Sequence, residues 1–327
     1  MSFKTLLVAL LALEGANLTF AQSNIAADVC VDPEAFTSCT EKALTDSKQC
    51  TDVCSVSTTC VQVCSCVMHQ AFIKCVAESC WNQAYSCEYG NLVASYFAKC
   101  PTAAKPIPFW PAPDNAPGGC SCNLGKVLQS MINAQTEYNT CITDRNSSSV
   151  TELGNKDTAC GCCEVSTGLS AIYETCPDTI PADVGADNWL NASTVDDTVI
   201  QWGSCGSVLE QYDCAKLNFT QPSANSTTFY GPDNLPPRGT QTLHNTGPAD
   251  ALTAPPSGSV MTWPQSTITY TMSALPWKNN QVKATGTGAG ATGTAAAGAS
   301  ETGAAMASRQ STLGAWLPWM VLLIRML

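Results

Sequence analysis

Apolar side chains recur every three or four positions along several stretches of the chain, which is the spacing of one face of a helix. Shorter rows of this kind begin at Phe36 and Ala71. The longest row consists of Leu124, Val127, Leu128, Met131, Tyr138 and Cys141. Pro101 and Pro177 are expected to end two further helices, because proline cannot continue a helix. The main strand signal is the polar and apolar alternation of residues 266–271, so the pattern predicts a mainly α fold.

Two parts of the chain resemble each other. Residues 87–101 and 163–177 both begin with Cys-Glu, carry an aromatic residue at the matched position and end with Cys-Pro. Cys-Ser-Cys precedes them at 64–66 and 120–122, and the intervening cysteines are matched as Cys75 with Cys141 and Cys80 with Cys160. We interpret this as two copies of one module: Cys-x-Cys, helix, Cys, loop, Cys, helix, Cys-Pro. The alternative is a coincidence of cysteine spacing.

The 327-residue chain contains 20 cysteines, and all of them lie between Cys30 and Cys214. Such a density in a secreted chain is typical of a disulfide scaffold. We therefore predict disulfide-stapled helical hairpin modules in tandem, at about 64–100 and 120–176. The cysteines expected to form disulfides are Cys30, Cys39, Cys50, Cys54, Cys60, Cys64, Cys66, Cys75, Cys80, Cys87, Cys100, Cys120, Cys122, Cys141, Cys160, Cys162, Cys163, Cys176, Cys205 and Cys214.

Helix geometry excludes some cysteine pairs, although it leaves the connectivity open. A helix over residues 87–100 places its ends about 19 Å apart. Disulfide-bonded Cα atoms lie at most about 6.8 Å apart. Cys87 is therefore not expected to pair with Cys100, and the same argument separates Cys163 from Cys176. For the adjacent Cys162 and Cys163, separate partners are expected rather than a strained bridge between neighbours.

The N-terminus has the features of a secretory signal peptide. Lys4 precedes an apolar run at 6–13, and small or short side chains stand at Thr19 and Ala21. This arrangement predicts cleavage after Ala21, so that residues 1–21 are removed. Entry into the secretory pathway then makes oxidised cysteines the default.

The C-terminus has the features of a glycosylphosphatidylinositol (GPI) attachment signal. Residues 313–327 are apolar but shorter than the roughly 20 residues of a spanning helix. A polar spacer at 306–312 and small residues precede them, which is the order found in GPI signals. We expect the lipid on Gly303, with Gly298 and Ser300 as alternatives, and removal of residues 304–327. A short tail anchor and a soluble terminus are the other interpretations.

The composition changes after Cys214. Residues 284–308 are almost all Gly, Ala, Ser or Thr, with too little apolar area to offset the entropy of ordering. We therefore predict a cysteine-rich helical domain over 22–218 and a disordered Ser/Thr/Gly/Ala stalk with O-linked sugars over 219–303. N-glycosylation is expected in exposed loops at Asn146, Asn191, Asn218 and Asn225.

A proline-rich segment at 101–119 joins the two modules. Its six prolines predict a stiff and extended connection. Phe109 and Trp110 at its centre either pack onto a module or form an exposed contact patch, and packing is preferred because large exposed aromatics are unusual without a partner. We expect any binding to be carried by these two residues and by the exposed module surfaces.

Charge and residue types exclude several kinds of chemistry. The net charge of −11 argues against nucleic-acid binding. His69 has no counterpart in the second module and is interpreted as a structural residue, and His244 lies in the predicted stalk. No metal and no cofactor are expected, because oxidised cysteines do not serve as zinc ligands. Glu88 and Glu164 are interpreted as residues in the first turn of a helix, where a carboxylate interacts favourably with the helix dipole.

The whole arrangement of signal peptide, helical disulfide domain, stalk and lipid-attachment tail resembles the GPI-anchored, cysteine-rich cell-surface proteins of filamentous fungi. This resemblance implies the extracellular face of the plasma membrane or the cell wall, with the membrane bound through the lipid and a cell-wall glycan or surface protein as partner. Such proteins include helical eight-cysteine haem-binding domains. Those supply an Asp near a Cys-x-Cys run, whereas neither Cys-Ser-Cys of this chain is followed closely by Asp.

The sequence therefore favours a non-catalytic surface protein for adhesion, wall organisation or wall sensing. A small-ligand or haem-binding module is the first alternative. An extracellular hydrolase is the second.

Overall fold

A computed structural model describes residues 25–54, 57–100, 103–143, 150–192, 201–221, 229–265 and 268–277. The helices are α1 (Pro33–Asp52), α2 (Thr58–Ser79), α3 (Cys87–Lys99), α4 (Leu124–Thr143), α5 (Val150–Thr175), α6 (Ala186–Ala192) and α7 (Cys205–Gln211). Two antiparallel strands follow, β1 (Val260–Gln265) and β2 (Ile268–Ser273). The predicted mainly α fold is confirmed. The expected signal peptide, the lipid-attachment candidates, Asn146 and Asn225 lie outside the described residues.

The helices α1 to α4 each begin at a side chain that caps free backbone N–H groups of the first turn, and for α4 this is Asn123. Asp32 Oδ1 accepts a hydrogen bond from Ala35 N at 2.9 Å at the start of α1, where Pro33 occupies the first helical position. Ser57 and Ser86 do the same for α2 and α3 through their Oγ atoms. Such caps contribute about 1 kcal/mol each, and they account locally for where the helices begin.

The helices pack mainly as two pairs of consecutive helices. Residues 159–173 of α5 are all buried, so this part of the helix is covered on every side. Helix α4 packs along α5, α1 packs along α2, and α3 contacts both α2 and α4. The apolar row predicted for α4 forms its buried face, with Tyr138 half-buried beside a second, smaller core cluster.

Helix α2 is long and apolar enough to cross a membrane by length and composition alone. Half of its most apolar stretch is buried inside the protein. Its cysteines form disulfides with two residues of α1, with Cys54 just after α1 and with Cys100 after α3. These contacts are those of a core helix.

Ten disulfides join all twenty cysteines, as predicted. The pairs are Cys30–Cys80, Cys39–Cys75, Cys50–Cys64, Cys54–Cys60, Cys66–Cys100, Cys87–Cys120, Cys122–Cys176, Cys141–Cys160, Cys162–Cys205 and Cys163–Cys214. No pair joins the two ends of one helix, and the adjacent Cys162 and Cys163 have separate partners. Disulfide bonding on this scale is consistent with an extracellular or secreted protein.

The two predicted modules are both helical hairpins, but their disulfides agree only in part. Cys66–Cys100 and Cys122–Cys176 are equivalent, since each joins the second cysteine of Cys-Ser-Cys to the cysteine before proline. The other matched cysteines have unrelated partners. The expected position of Glu164 is also wrong, because α5 starts at Val150 and places Glu164 in its middle, whereas Glu88 does lie in the first turn of α3.

The predicted stalk boundary at residue 219 is wrong. Residues 229–265 and 268–277 extend over the helical body and are attached to it by hydrogen bonds from polar side chains. Asn245 Oδ1 accepts from Cys87 N at 2.7 Å, and its Nδ2 donates to Glu88 at 2.9 Å. At the far end, the Trp81 indole donates to Leu275 O at 2.9 Å.

The hairpin of β1 and β2 adds apolar contacts to this attachment. Trp263 and Met272 are buried in the main core, and Trp263 lies 6.2 Å from the ring centroid of Tyr96. The strand predicted at 266–271 is therefore present at Ile268–Ser273, but it belongs to the folded body.

Candidate functional site

A cleft of about 740 Å³ lies between the starts of α3 and α4 and the proline-rich loop 103–119. Its volume falls in the range of small-molecule binding sites, about 300–1,000 Å³. The residues that line it are Ala84, Tyr85, Ser86, Tyr89, Gly90, Phe109, Trp110, Ala112, Pro113, Asp114, Asn115, Ala116, Gly119, Cys120, Ser121, Cys122, Asn123, Leu124, Gly125, Thr175 and Thr246. The cleft thus lies where the two hairpins meet.

Two disulfides fix the walls of this cleft. Cys87–Cys120 joins the start of α3 to the Cys-Ser-Cys segment, and Cys122–Cys176 joins that segment to the end of α5. The C-terminal segment adds a third attachment, since Thr246 donates to Gly119 O at 2.9 Å. Because these walls are covalently connected, little order is lost when a ligand binds.

The loop that forms the outer wall has an unusual backbone. Phe109 and Asn115 have positive φ angles of 58° and 55°, a region that residues other than glycine rarely adopt. Side chains hold the loop in place: the Tyr89 hydroxyl donates to Pro108 O, and Asn123 Nδ2 donates to Ala112 O at 2.8 Å. Asparagine adopts this region more readily than other residues, so the strain lies at Phe109. Strained backbone persists only where the surroundings enforce it, and it clusters at ligand-binding sites.

The two aromatic residues predicted as contacts are largely buried. Trp110 is 8% exposed and packs 5.2 Å from the ring centroid of Phe97. Phe109 is half-buried against the same core. The packing interpretation is therefore confirmed, and the exposed contact patch is wrong. Both residues nevertheless line the cleft, together with the half-buried Tyr85.

Two glycines allow close approaches at the cleft, Gly125 between α4 and the loop and Gly90 between α3 and α4. A Cβ at Gly125 would lie 2.7 Å from Pro111 Cβ and 2.8 Å from Trp110 Nε1, closer than real Cβ contacts. A Cβ at Gly90 would lie 3.2 Å from Leu124 Cδ1 across the junction of α3 and α4. Trp110 Nε1 is buried against this wall without a hydrogen-bond partner. Any side chain at position 125 would push the loop outward and change the cleft.

The charges around the cleft are balanced. Asp114 is the only carboxylate among the lining residues, and Lys126 Nζ lies 2.6 Å from its Oδ1. Glycoside hydrolysis ordinarily needs two carboxylates on opposite sides of the bond to be cleaved. The lining residues do not supply such a pair.

His69 lies away from the cleft, inside the helical body. It is 2% exposed, and its Nδ1 donates to Ser65 O at 2.7 Å, while Nε2 has no partner. Burial lowers the pKa of His69 to about 4, and the charge of Lys99 lowers it further, against the hydrogen bond to Ser65. The imidazole is therefore neutral at pH 7, consistent with a structural role. His244 is exposed, and its backbone holds Ser121 of the cleft wall.

The two predicted glycosylation sites within the described residues, Asn191 and Asn218, are not among the residues that line the cleft. Asn218 is exposed, as a glycosylated residue must be, and Asn191 lies near the end of α6. The sulfurs of Cys54, Cys60 and Cys64 lie within 4.8 Å of one another. They belong to two disulfides, so they are not available as thiolate ligands.

Sequence reasoning missed most of the cleft. Tyr85, Asn115 and Gly125 carry no motif, and they meet only because the disulfides bring distant segments together. One usable signal was present, since a proline-rich loop followed at once by Cys-Ser-Cys indicates a fixed loop beside a fixed turn. No protein-family model, curated protein or solved structure matches this chain.

Proposed function

We propose that this chain is a non-catalytic protein of the extracellular surface, attached by a GPI lipid at Gly303 or a close neighbour, and that it contacts the cell wall or a neighbouring surface through the cleft. Its role is then adhesion, wall organisation or wall sensing. The observation that carries the proposal is a preformed cleft with covalently fixed walls and no paired carboxylates among its lining residues. The ten disulfides support the extracellular side of the membrane.

The lipid attachment is tested by release from the cell. Phosphatidylinositol-specific phospholipase is expected to free the protein from membranes, or glucan digestion to free a wall-linked form. Deletion of residues 313–327 is expected to send the chain into the medium. A truncated chain that stays on the membrane would contradict the attachment.

The role of the cleft is tested with a matched pair of glycine variants. Gly125→Ala places a methyl group against Pro111 and displaces the outer wall. Gly154→Ala in α5 meets nothing within 4 Å and serves as the control. Both variants are expected to be secreted, and only Gly125→Ala is expected to lose its association with the wall or the neighbouring surface. Equal association of the two variants would count against the cleft.

A small-ligand module is the second candidate, because the same cleft has the volume of a small-molecule site. It differs from the first in its readout. A soluble small ligand would bind in the cleft without affecting attachment to the wall. The small-ligand module would therefore be favoured if Gly125→Ala kept its normal wall association but lost its affinity for that ligand.

A further inference from the structure

We infer that the cleft binds a neutral, hydroxyl-rich ligand, namely one or a few sugar rings of a glycan chain. This inference rests on the proposed function, since it names the ligand class of the same site. It depends on the charge of the cleft, the polar groups that line it, and the flat aromatic rings in its wall.

The charge of the cleft disfavours ionic ligands. Asp114 is already paired with Lys126, so the cleft has no uncompensated carboxylate to attract a cation. No lysine or arginine is among the lining residues, and the chain as a whole carries a net charge of −11. An anionic ligand is therefore repelled over long range and finds no cationic side chain among the lining residues.

The polar groups of the cleft are hydroxyls and amides. They belong to Ser86, Asn115, Ser121, Asn123, Thr175 and Thr246. Hydroxyl and amide groups both donate and accept hydrogen bonds, as sugar hydroxyls do. Ser121 is one example. Its Oγ accepts a hydrogen bond from His244 N at 3.2 Å, and its hydroxyl hydrogen can then donate to a ligand oxygen. Ser86, Asn123 and Thr246 already bond to the protein, but a purely apolar ligand would bury the Ser121 hydrogen without a partner, at a cost of about 1–3 kcal/mol.

The aromatic rings of the cleft supply the apolar part of the contact. Tyr85 and Phe109 are both half-buried, and both pack at the small core cluster around Trp81. One face of a sugar ring consists of C–H groups, which pack against a flat ring while the hydroxyls point outward.

The shape of the cleft fits part of a longer chain. Its volume of about 740 Å³ admits more than one sugar ring, and its outer edge is formed by the exposed Pro113, Asp114 and Asn115. A glycan can therefore continue into solvent beyond the rings that are bound. A peptide bound as an added strand needs a free strand edge, and neither β1 nor β2 lines the cleft.

Calorimetric titration of the purified full chain tests this inference. The probes are short neutral gluco-, chito- and manno-oligosaccharides, with an oligogalacturonate as the charged comparison. We expect at least one neutral series to bind and the oligogalacturonate not to bind. The Tyr85→Leu variant, which keeps apolar volume but loses the flat ring, is expected to bind about tenfold more weakly, whereas Tyr85→Phe binds within about twofold of the parent chain.

Two further variants keep the test decisive if Tyr85→Leu folds poorly. Asn115→Gly removes the amide and still accepts the positive φ of that position, so it weakens binding without straining the loop. Tyr212→Leu replaces a half-buried tyrosine outside the cleft and is expected to bind like the parent chain.

Absence of binding to every neutral series, or undiminished binding by both cleft variants, would overturn the inference. If Gly125→Ala loses wall association while no oligosaccharide binds, the ligand class is wrong, the proposed function stands, and a peptide or protein partner is indicated. If oligosaccharides bind as expected but deletion of 313–327 leaves the chain on the membrane, the lipid attachment fails and the ligand class stands.

Discussion

Replacing His69 by glutamine is expected to flatten the dependence of folding stability on pH. In the folded protein the imidazole is buried, Nδ1 donates to Ser65 O, and Nε2 has no partner. A proton on Nε2 would place a positive charge in the core, where the charge of Lys99 also opposes it. In the unfolded chain the same imidazole is hydrated and takes up a proton at its ordinary pKa of 6.5.

The sign and size of the effect follow from these two pKa values. Between pH 6.5 and about 4 the unfolded chain binds the proton and the folded chain does not, so acid favours unfolding. The contribution of His69 to stability is complete above pH 6.5 and is lost as the pH falls towards 4. At about 1.4 kcal/mol per pH unit, the loss amounts to about 3 kcal/mol.

Guanidinium unfolding with intact disulfides, at a series of pH values from 7.5 to 4, measures this contribution. Carboxylates also titrate in this range, but they do so in both proteins, and the difference between the parent chain and His69→Gln isolates the imidazole. His244→Gln is the matched control, because the chain has only two histidines and His244 is exposed. Equal slopes for the parent and His69→Gln, or an NMR titration of folded His69 near pH 6.5, would refute the reasoning.

Two other predictions concern the packing of the body. A chain that ends at residue 218 is expected to be less stable than one that ends at 277 by at least about 3 kcal/mol, because it lacks Trp263 and Met272 from the core, and denaturant unfolding of the two chains tests this. In α5, Gly154→Ala is expected to raise stability by about 1 kcal/mol. Gly168→Ala in the same helix is expected to lower the stability, because its Cβ would lie 2.4 Å from the Trp189 ring. Thermal unfolding of the two glycine variants measures this, and stabilisation of both would contradict the packing.

The helices could be predicted because their causes are local. The apolar row from Leu124 to Cys141, the capping serine at Ser86 and the proline after Cys176 all act within a few residues of the helix they shape. The exclusion of a disulfide between Cys87 and Cys100 was also a local prediction, because it depends only on the length of one helix. These features left a readable pattern in the sequence.

The C-terminal segment and the cleft could not be predicted for the opposite reason. Residues 229–277 are rich in polar residues and proline, which is also the composition of a stalk, and Asn245 caps α3 from 158 residues away without any local pattern. Trp263 was the main clue, since an aromatic residue in a stalk has nothing to cover it. The cleft depends on the conformation of the loop 103–119, which positive φ angles and disulfides between distant segments determine together. Neither of these leaves a local pattern in the sequence.

The two Cys-Ser-Cys segments make different disulfide connections because one lies inside a helix and the other in a non-helical segment. Cys64 and Cys66 lie inside α2, where residues two apart point about 200° away from each other, so one reaches α1 and the other reaches the end of α3. Cys120 and Cys122 precede α4 in a non-helical segment, where Cys120 reaches the start of α3 and Cys122 the end of α5. Ser121 between them bonds the C-terminal segment through its backbone N–H and its Oγ. This single tripeptide therefore joins three parts of the body at the cleft, which is why the second copy of the motif, and not the first, lines it.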